Sequence, residues 1–348
     1  MKDKPESVLL LIHELNYTGA PLVVFETALA LKKRGYKVHT LSLLNGELVE
    51  KFKQNDLEVS IYENNEKFME LAKKFDFAIV NTLACKDPYK VLQSMMPTIW
   101  WIHEKLTYAP NKDDILPDIQ NAFSIITSSP ASRAEYLPYN EHNHLVYLGI
   151  KDAYRGKPMQ MDFPSFAVVG SIVPRKGQDI FIQAIEQLPP ETRKKAGFFI
   201  IGEAPNETIY NQIKARIQYT PEITLLPATK SFEEICEYYE NISALVAPSR
   251  EEPTSRVAIE AMMMARPVIM SDVVGAQYLV QNGVNGFIFK SLDITALSGL
   301  LARLIENPEI LEKMQQPARE AYLKYNSETA FSNAVEDAIL SDWHRYYK

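Results

Sequence analysis

The chain has 348 residues, with 37 basic against 44 acidic side chains for a net charge of −7, and 46% of its residues are hydrophobic. That length exceeds one ordinary core and suits two domains of the usual size. An acidic balance argues against a nucleic-acid partner, which rewards a basic face, and the apolar content argues against a disordered chain.

Cys85 and Cys236 lie far apart and outside any CxxC or Cys/His cluster. Neither a disulfide framework nor a structural zinc site is expected, and the thiols fit a reducing compartment. The first apolar run, 8–12, is too short for a signal core, and the longer stretch 257–274 is broken by Glu260, Arg266 and Pro267. A cytoplasmic location is therefore expected, with peripheral membrane association left open.

Short apolar runs predict strands at 8–12, 38–43, 57–61, 77–80, 98–102, 124–127 and 145–148. Helical patterns fill the intervals, and the best of them, 21–34, is closed by Gly35. Continuous apolar strands between helices predict a parallel sheet covered on both faces. The rhythm lapses at 149–163, which reads as a linker, and then restarts. Strands are expected at 166–170, 198–201, 223–226, 244–247, 268–270 and 287–289, with helices at 178–187 and 232–239 among those between. The tail from 293 to 348 reads as helical, broken at Asn307-Pro308. Two doubly wound α/β domains facing across a cleft are the economical architecture, with ligands at the carboxyl ends of the strands.

Four constellations stand at such ends. Gly19-Ala20 follow the first predicted strand and open the first long helix, where a missing side chain lets a phosphate or an acceptor approach. The same residues also suit a plain strand–helix turn. His103 ends the fifth strand, in position to hydrogen-bond a ligand, although a lone histidine is more often structural. The loop 170–177 carries Arg175 and Lys176 between two glycines. Its cations can reach across a cleft to a phosphate, or simply form a basic turn. It is neither GxGxxG nor a P-loop, which removes support for dinucleotide redox chemistry and ATP hydrolysis.

The strongest element runs from Glu252 through Pro253 to Glu260. Pro253 is expected in the first turn of a helix. The amides of Thr254, Ser255, Arg256 and Val257 then lie at the positive helix end, between two acids. A nucleotide sugar matches that layout, with a hydroxyl-bearing ring at each end and a diphosphate between. On spacing alone, the pair also fits a helix-start acid and a solvated helix residue. Glu260 argues otherwise, because it sits inside an apolar run where an unpaired carboxylate is costly. No DxD for a metal-bound diphosphate, no GxSxG and no HExxH occurs.

Together these pieces resemble the retaining glycosyltransferases of family 4, which have the GT-B fold. The likeness covers nearly the whole chain and rests most specifically on Glu252, Glu260, Ala261-Met262, Pro267-Val268-Ile269 and Asn285-Gly286. It implies an acceptor-binding domain at 1–150, a nucleotide-sugar-binding domain at 151–325, and a closing helix at 326–348 that packs back on the first domain. By resemblance, Glu252 contacts donor-sugar hydroxyls, the amides of 254–257 bind the diphosphate and Glu260 accepts from the ribose. Lys176 takes the place of the phosphate-binding lysine, aided by Arg175. Gly19-Ala20 correspond to the glycine loop, Gly202 to a glycine packed close to the nucleotide, and His103 to a histidine on the donor sugar.

The chain departs from the family pattern at Ser171, at Thr254-Ser255, near Gln277 and at Leu148-Gly149. The implied reaction moves a sugar from a UDP- or GDP-sugar to a glycan, glycolipid or protein acceptor. It proceeds with retention and with neither metal nor cofactor, the nucleotide sugar serving as co-substrate, and bacterial surface polysaccharide synthesis is the implied setting. Other readings are a GT-B sugar-nucleotide epimerase, a non-catalytic GT-B partner subunit and a two-lobed solute-binding protein.

Overall fold

The computed structural model describes residues 3–109, 112–156, 163–229 and 231–348. The chain forms two compact units, Met1–Ile150 with Ser327–Lys348, and Lys151–Asn326.

The first unit is built on seven parallel strands: β1 (Ser7–Ile12), β2 (Lys37–Ser42), β3 (Glu58–Ile61), β4 (Phe77–Asn81), β5 (Thr98–Ile102), β6 (Ser124–Thr127) and β7 (Asn143–Leu145). They stand in the order β3-β2-β1-β4-β5-β6-β7. Every residue of β1, β4, β5 and β6 is buried, which is why these strands are mostly apolar, with polar residues only at their ends. The chain winds outward in both directions from the β1/β4 pair, so the crevice of this unit opens at their carboxyl ends.

One strand differs from expectation. The run 145–148 is apolar, yet the strand lies earlier, at Asn143–Leu145. As a sheet-edge strand it needs no apolar face. Asn143 instead accepts from Thr127 Oγ1 at 2.9 Å through its side chain, and its carbonyl accepts from Arg133 Nε at 3.2 Å. The apolar Val146 and Leu148 are buried in the extended segment that follows.

The helix Glu328–Tyr346 completes this unit by lying on the helix Gly19–Lys33. Arg34 donates to Ser332, Asn333 and Glu336, Lys33 pairs with Glu328 at 2.8 Å, and Tyr36 Oη donates to Glu336 at 3.0 Å. A Cβ on Gly149 would stand 2.5 Å from the Phe331 ring, so Gly149 lets that ring seat. The basic run 32–34 is therefore spent on internal contacts, with Lys32 Nζ donating to the Asn55 carbonyl at 3.2 Å.

The second unit has six parallel strands: β8 (Ser165–Val169), β9 (Gly197–Ile201), β10 (Ile223–Leu226), β11 (Ala244–Ala247), β12 (Val268–Ser271) and β13 (Gly286–Phe289). Their order is β10-β9-β8-β11-β12-β13, so the direction of winding reverses between β8 and β11. In its core Phe198 packs on Phe166 and Phe181, with ring centroids 6.0 and 6.1 Å away.

Of the expected linker 149–163, residues 157–162 lie outside the described residues. Residues 151–156 have no regular structure and are held to the second unit. Arg319 donates to Asp152 and stands 5.0 Å over the Tyr154 ring. The tail breaks at Asn307-Pro308 as read, and again at Asn326-Ser327, where the chain passes between units. Among the described residues, no helix is long and apolar enough to cross a membrane.

Candidate functional site

In the second unit, the loops leaving β8 and β11 meet at the point where strand order reverses, the place where open α/β sheets bind ligands. The β8 loop ends in a short 3₁₀ turn, Pro174–Lys176, followed by Gly177 at φ +73°. A Cβ there would lie 2.0 Å from the Pro248 carbonyl oxygen, so only glycine allows the two loops to touch. Arg250 fastens them. Its amide donates to the Arg175 carbonyl at 2.8 Å, and its guanidinium donates to the Pro174 carbonyl at 2.7 Å and to both oxygens of Asp179 at 2.7 and 2.6 Å. That fork holds the Asp179 carboxyl below its ordinary range.

This bracing brings Lys176 onto Glu252, across 76 positions of sequence, and the ammonium donates to Glu252 Oε1. Their side chains are 14% and 4% exposed, so the pair is almost dry. Ser249 Oγ donates to the other Glu252 oxygen at 2.7 Å. The Glu252 carbonyl accepts from the Gly275 amide at 2.8 Å, which fixes the backbone on its far side. Arg175, by contrast, points its side chain to solvent.

The helix after Glu252 begins later than the position of Pro253 suggested. It runs Arg256–Met263, with Ser255 as N-cap. Pro253 and Thr254 form a bend ahead of it, because Glu252 is engaged in a bridge with Val274 and cannot enter a helical turn. The first-turn amides of Arg256 and Val257 therefore have no acceptor within the helix. Ser255, the residue that ordinarily caps them, makes no cap bond, and its buried hydroxyl has no partner among the described residues. An unpaired buried hydroxyl beside unpaired helix amides is costly unless a ligand completes it.

Glu260 is 6% exposed and is not unpaired, since it accepts from Arg256 Nε at 2.9 Å and from Tyr239 Oη at 3.1 Å. Burial raises its pKa, and the Arg256 charge opposes that rise. Gly202 has a reason of its own: a Cβ would fall 2.0 Å from the Gly170 carbonyl oxygen. The close approach at Gly202 is thus to the backbone that opens the lysine loop.

The remaining expected residues belong to the first unit. Gly19 and Ala20 open the helix Gly19–Lys33, whose N-cap Thr18 makes no side-chain capping bond. His103 directly follows β5, stacks on Trp101 with centroids 5.7 Å apart, and meets Asn81 Oδ1 through Nε2 at 3.1 Å. Burial, reinforced by the nearby His13, pushes its pKa down to about 3, so the ring is neutral at physiological pH. Glu104 holds this corner in place by accepting from the amides of Leu83 at 3.2 Å and His103 at 3.1 Å. Burial raises its pKa. Thr82, at φ +69°, carries the strained turn beside them.

Sequence reading missed Ser249, Arg250, Asp179 and Tyr239 in the second unit, and Asn81 and Glu104 in the first. Ser249 and Arg250 lie within three positions of Glu252, Asp179 within three of Lys176 and Glu104 next to His103, whereas Tyr239 and Asn81 stand far in sequence from the residues they touch. Among the described residues, no group of three or more His, Cys, Asp or Glu side chains is placed to hold a metal ion.

Comparison with known proteins agrees with this layout. Residues 151–321 match the family model "Glycosyl transferases group 1", and residues 4–144 match "Glycosyl-transferase family 4". An uncharacterized glycosyltransferase of Methanocaldococcus jannaschii is 32% identical over 186 residues, covering 53% of this chain and 50% of its own length. A D-inositol 3-phosphate glycosyltransferase of Streptomyces griseus is 28% identical, covering 55% of this chain and 42% of its own. The chain thus matches half or less of the length of these two relatives. Among solved structures, Anabaena HepE in complex with UDP superposes with a TM-score of 0.83 at 18% identity, over 96% of this chain and 100% of that one. HepE has also been solved with UDP-glucose.

Proposed function

The chain belongs to the glycosyltransferases that these two family models describe, with the GT-B fold, and from that premise we propose that it moves a sugar from a nucleoside-diphosphate donor to an acceptor hydroxyl. The observation that carries the reading is the braced Lys176–Glu252 pair beside the unpartnered Ser255 hydroxyl and the open amides of Arg256 and Val257. Cation, hydroxyl and amides together suit a diphosphate. Glu252 suits donor-sugar hydroxyls and Glu260 the ribose. The second unit is then the donor-binding domain and the first the acceptor-binding domain.

In the proposed step, the bond from the anomeric carbon to the β-phosphate oxygen breaks and a bond to the acceptor oxygen forms on the same face. The acceptor proton passes to the departing phosphate. Negative charge grows on that phosphate, and Lys176 and the helix amides stabilise it without a metal. Arg175, at the loop surface, adds to the local positive potential. His103, neutral and with Nε2 bound to Asn81, offers its other nitrogen to a sugar hydroxyl. We take the donor to be a UDP- or GDP-sugar, with UDP tried first because one structure of the same fold, HepE, was solved with UDP, and the acceptor to be a surface polysaccharide or glycoconjugate.

The test is to incubate the protein with UDP- and GDP-sugars, with and without acceptors, and to follow nucleoside diphosphate release and product anomer. Acceptor-dependent release with retained configuration supports the reading. Donor conversion that needs no acceptor would assign an epimerase, and no turnover or binding of any donor would leave a non-catalytic subunit.

A further inference from the structure

A cavity of about 330 Å³ lies in the first unit, lined by Leu11, Leu43, Tyr62, Phe68, Pro88 and Val91, with Asn65 and Asp87 as its polar members. Its position follows from the chain path. Leu11 is near the end of β1, Leu43 directly follows β2 and Tyr62 directly follows β3. The far wall comes from the helices Asn65–Ala72 and Lys86–Gln93. The cavity therefore opens on the carboxyl edge of the sheet, the edge that also carries Gly19 and His103. Its wall is almost entirely carbon. Tyr62 Oη, which could have served a polar ligand, already donates to Asn65 Oδ1 at 2.8 Å. Asp87, in the first turn of its helix, places a carboxylate at the margin.

We propose that this cavity binds an apolar group of the acceptor, a ring or short alkyl chain attached to the sugar or polyol that receives the transferred residue. The assignment rests on the transfer reading above and names the acceptor class for it. The volume is at the small end for ligand pockets, which suits one such group and is too little for a whole lipid tail. The carbon lining rewards apolar contact and leaves a bare sugar's hydroxyls unpaired. The Asp87 carboxylate opposes an anionic group at the mouth.

The experiment titrates the full chain with octyl β-D-glucoside below its micellar concentration, with glucose and with octanoate, by calorimetry. UDP is titrated separately. Each enclosed methylene strengthens binding roughly four-fold, so octyl glucoside is expected to bind at least about ten-fold more tightly than glucose, and octanoate, whose carboxylate Asp87 opposes, to bind more weakly than octyl glucoside. Val91, at 37% exposure, is open enough to accept a larger side chain without unfolding the unit. Val91→Trp, which fills the cavity, is expected to remove that advantage while leaving UDP affinity unchanged. Equal binding of octyl glucoside and glucose, or an advantage that survives Val91→Trp, overturns the proposal. Tight octyl glucoside binding without any UDP binding overturns the assignment to an acceptor and the transfer reading with it. UDP binding without an octyl advantage overturns the pocket alone.

Discussion

Replacing Lys176 by Met removes the ammonium and keeps most of the side-chain volume. It leaves Glu252, 4% exposed, with Ser249 as its one remaining side-chain donor among the described residues. Breaking one side of a buried ion pair costs about 3–5 kcal/mol. Lys176 retains 14% exposure, through which water can partly compensate, so the lower end, about 3 kcal/mol, is expected. For a unit of this size that is a fall of roughly 6–12 °C in Tm. The double variant Lys176→Met/Glu252→Gln removes both charges and is expected to recover at least about 2 kcal/mol of that loss. Urea unfolding of wild type, Lys176→Met, Glu252→Gln and the double variant at pH 7, followed by far-UV dichroism, measures the cycle. Equal stability of wild type and Lys176→Met, with no coupling in the cycle, would refute the reasoning that the two loops are joined through this pair.

Three further outcomes are expected. Gly177→Ala forces a Cβ to within 2.0 Å of the Pro248 carbonyl at a left-handed φ, and is expected to cost about 2–4 kcal/mol and to weaken UDP binding, by thermal shift and calorimetry. His103 has its folded-state pKa lowered from 6.5 to about 3. Only the unfolded chain takes up that proton between those values, so the His103 contribution is complete above pH 6.5 and is lost as pH falls toward 3. His103→Gln is expected to flatten that decline, and the native ring, followed by imidazole NMR, to stay neutral down to about pH 4. Burial pushes both Cys85 and Cys236 up to about 12, so Ellman's reagent at pH 8 is expected to label neither in the native state and both in denaturant.

The doubly wound sheets were legible because buried parallel strands carry near-continuous apolar runs, as β1, β4, β5 and β11 do, with polar residues in the first three only at one end, Ser7, Asn81 and Thr98. The edge strand β7 escaped because its buried position is filled by Asn143, which is hydrogen-bonded there, and the next by the half-buried His144, so no apolar run marks it. In the site, Lys176 and the two glutamates carry local patterns, and so were readable. The partners that fix them were not. Arg250 and Asp179 are 71 positions apart, Tyr239 and Glu260 are 21, and His103 and Asn81 are 22, so only folding makes them neighbours. The start of the helix at Arg256 was misplaced for a related reason. Pro253 suits a first helical turn by itself, but the Glu252–Val274 bridge, a long-range contact, holds the preceding residue extended.

The central claim is that a diphosphate completes the group formed by Ser255, the first amides of its helix and Lys176. A crystal structure of the chain grown with UDP measures this directly. The account predicts phosphate oxygens within hydrogen-bonding distance of Ser255 Oγ, of the Arg256 or Val257 amide and of Lys176 Nζ. UDP bound elsewhere, or a chain crystallised in excess UDP with the Ser255 hydroxyl still unpartnered and Lys176 still held only by Glu252, would contradict it.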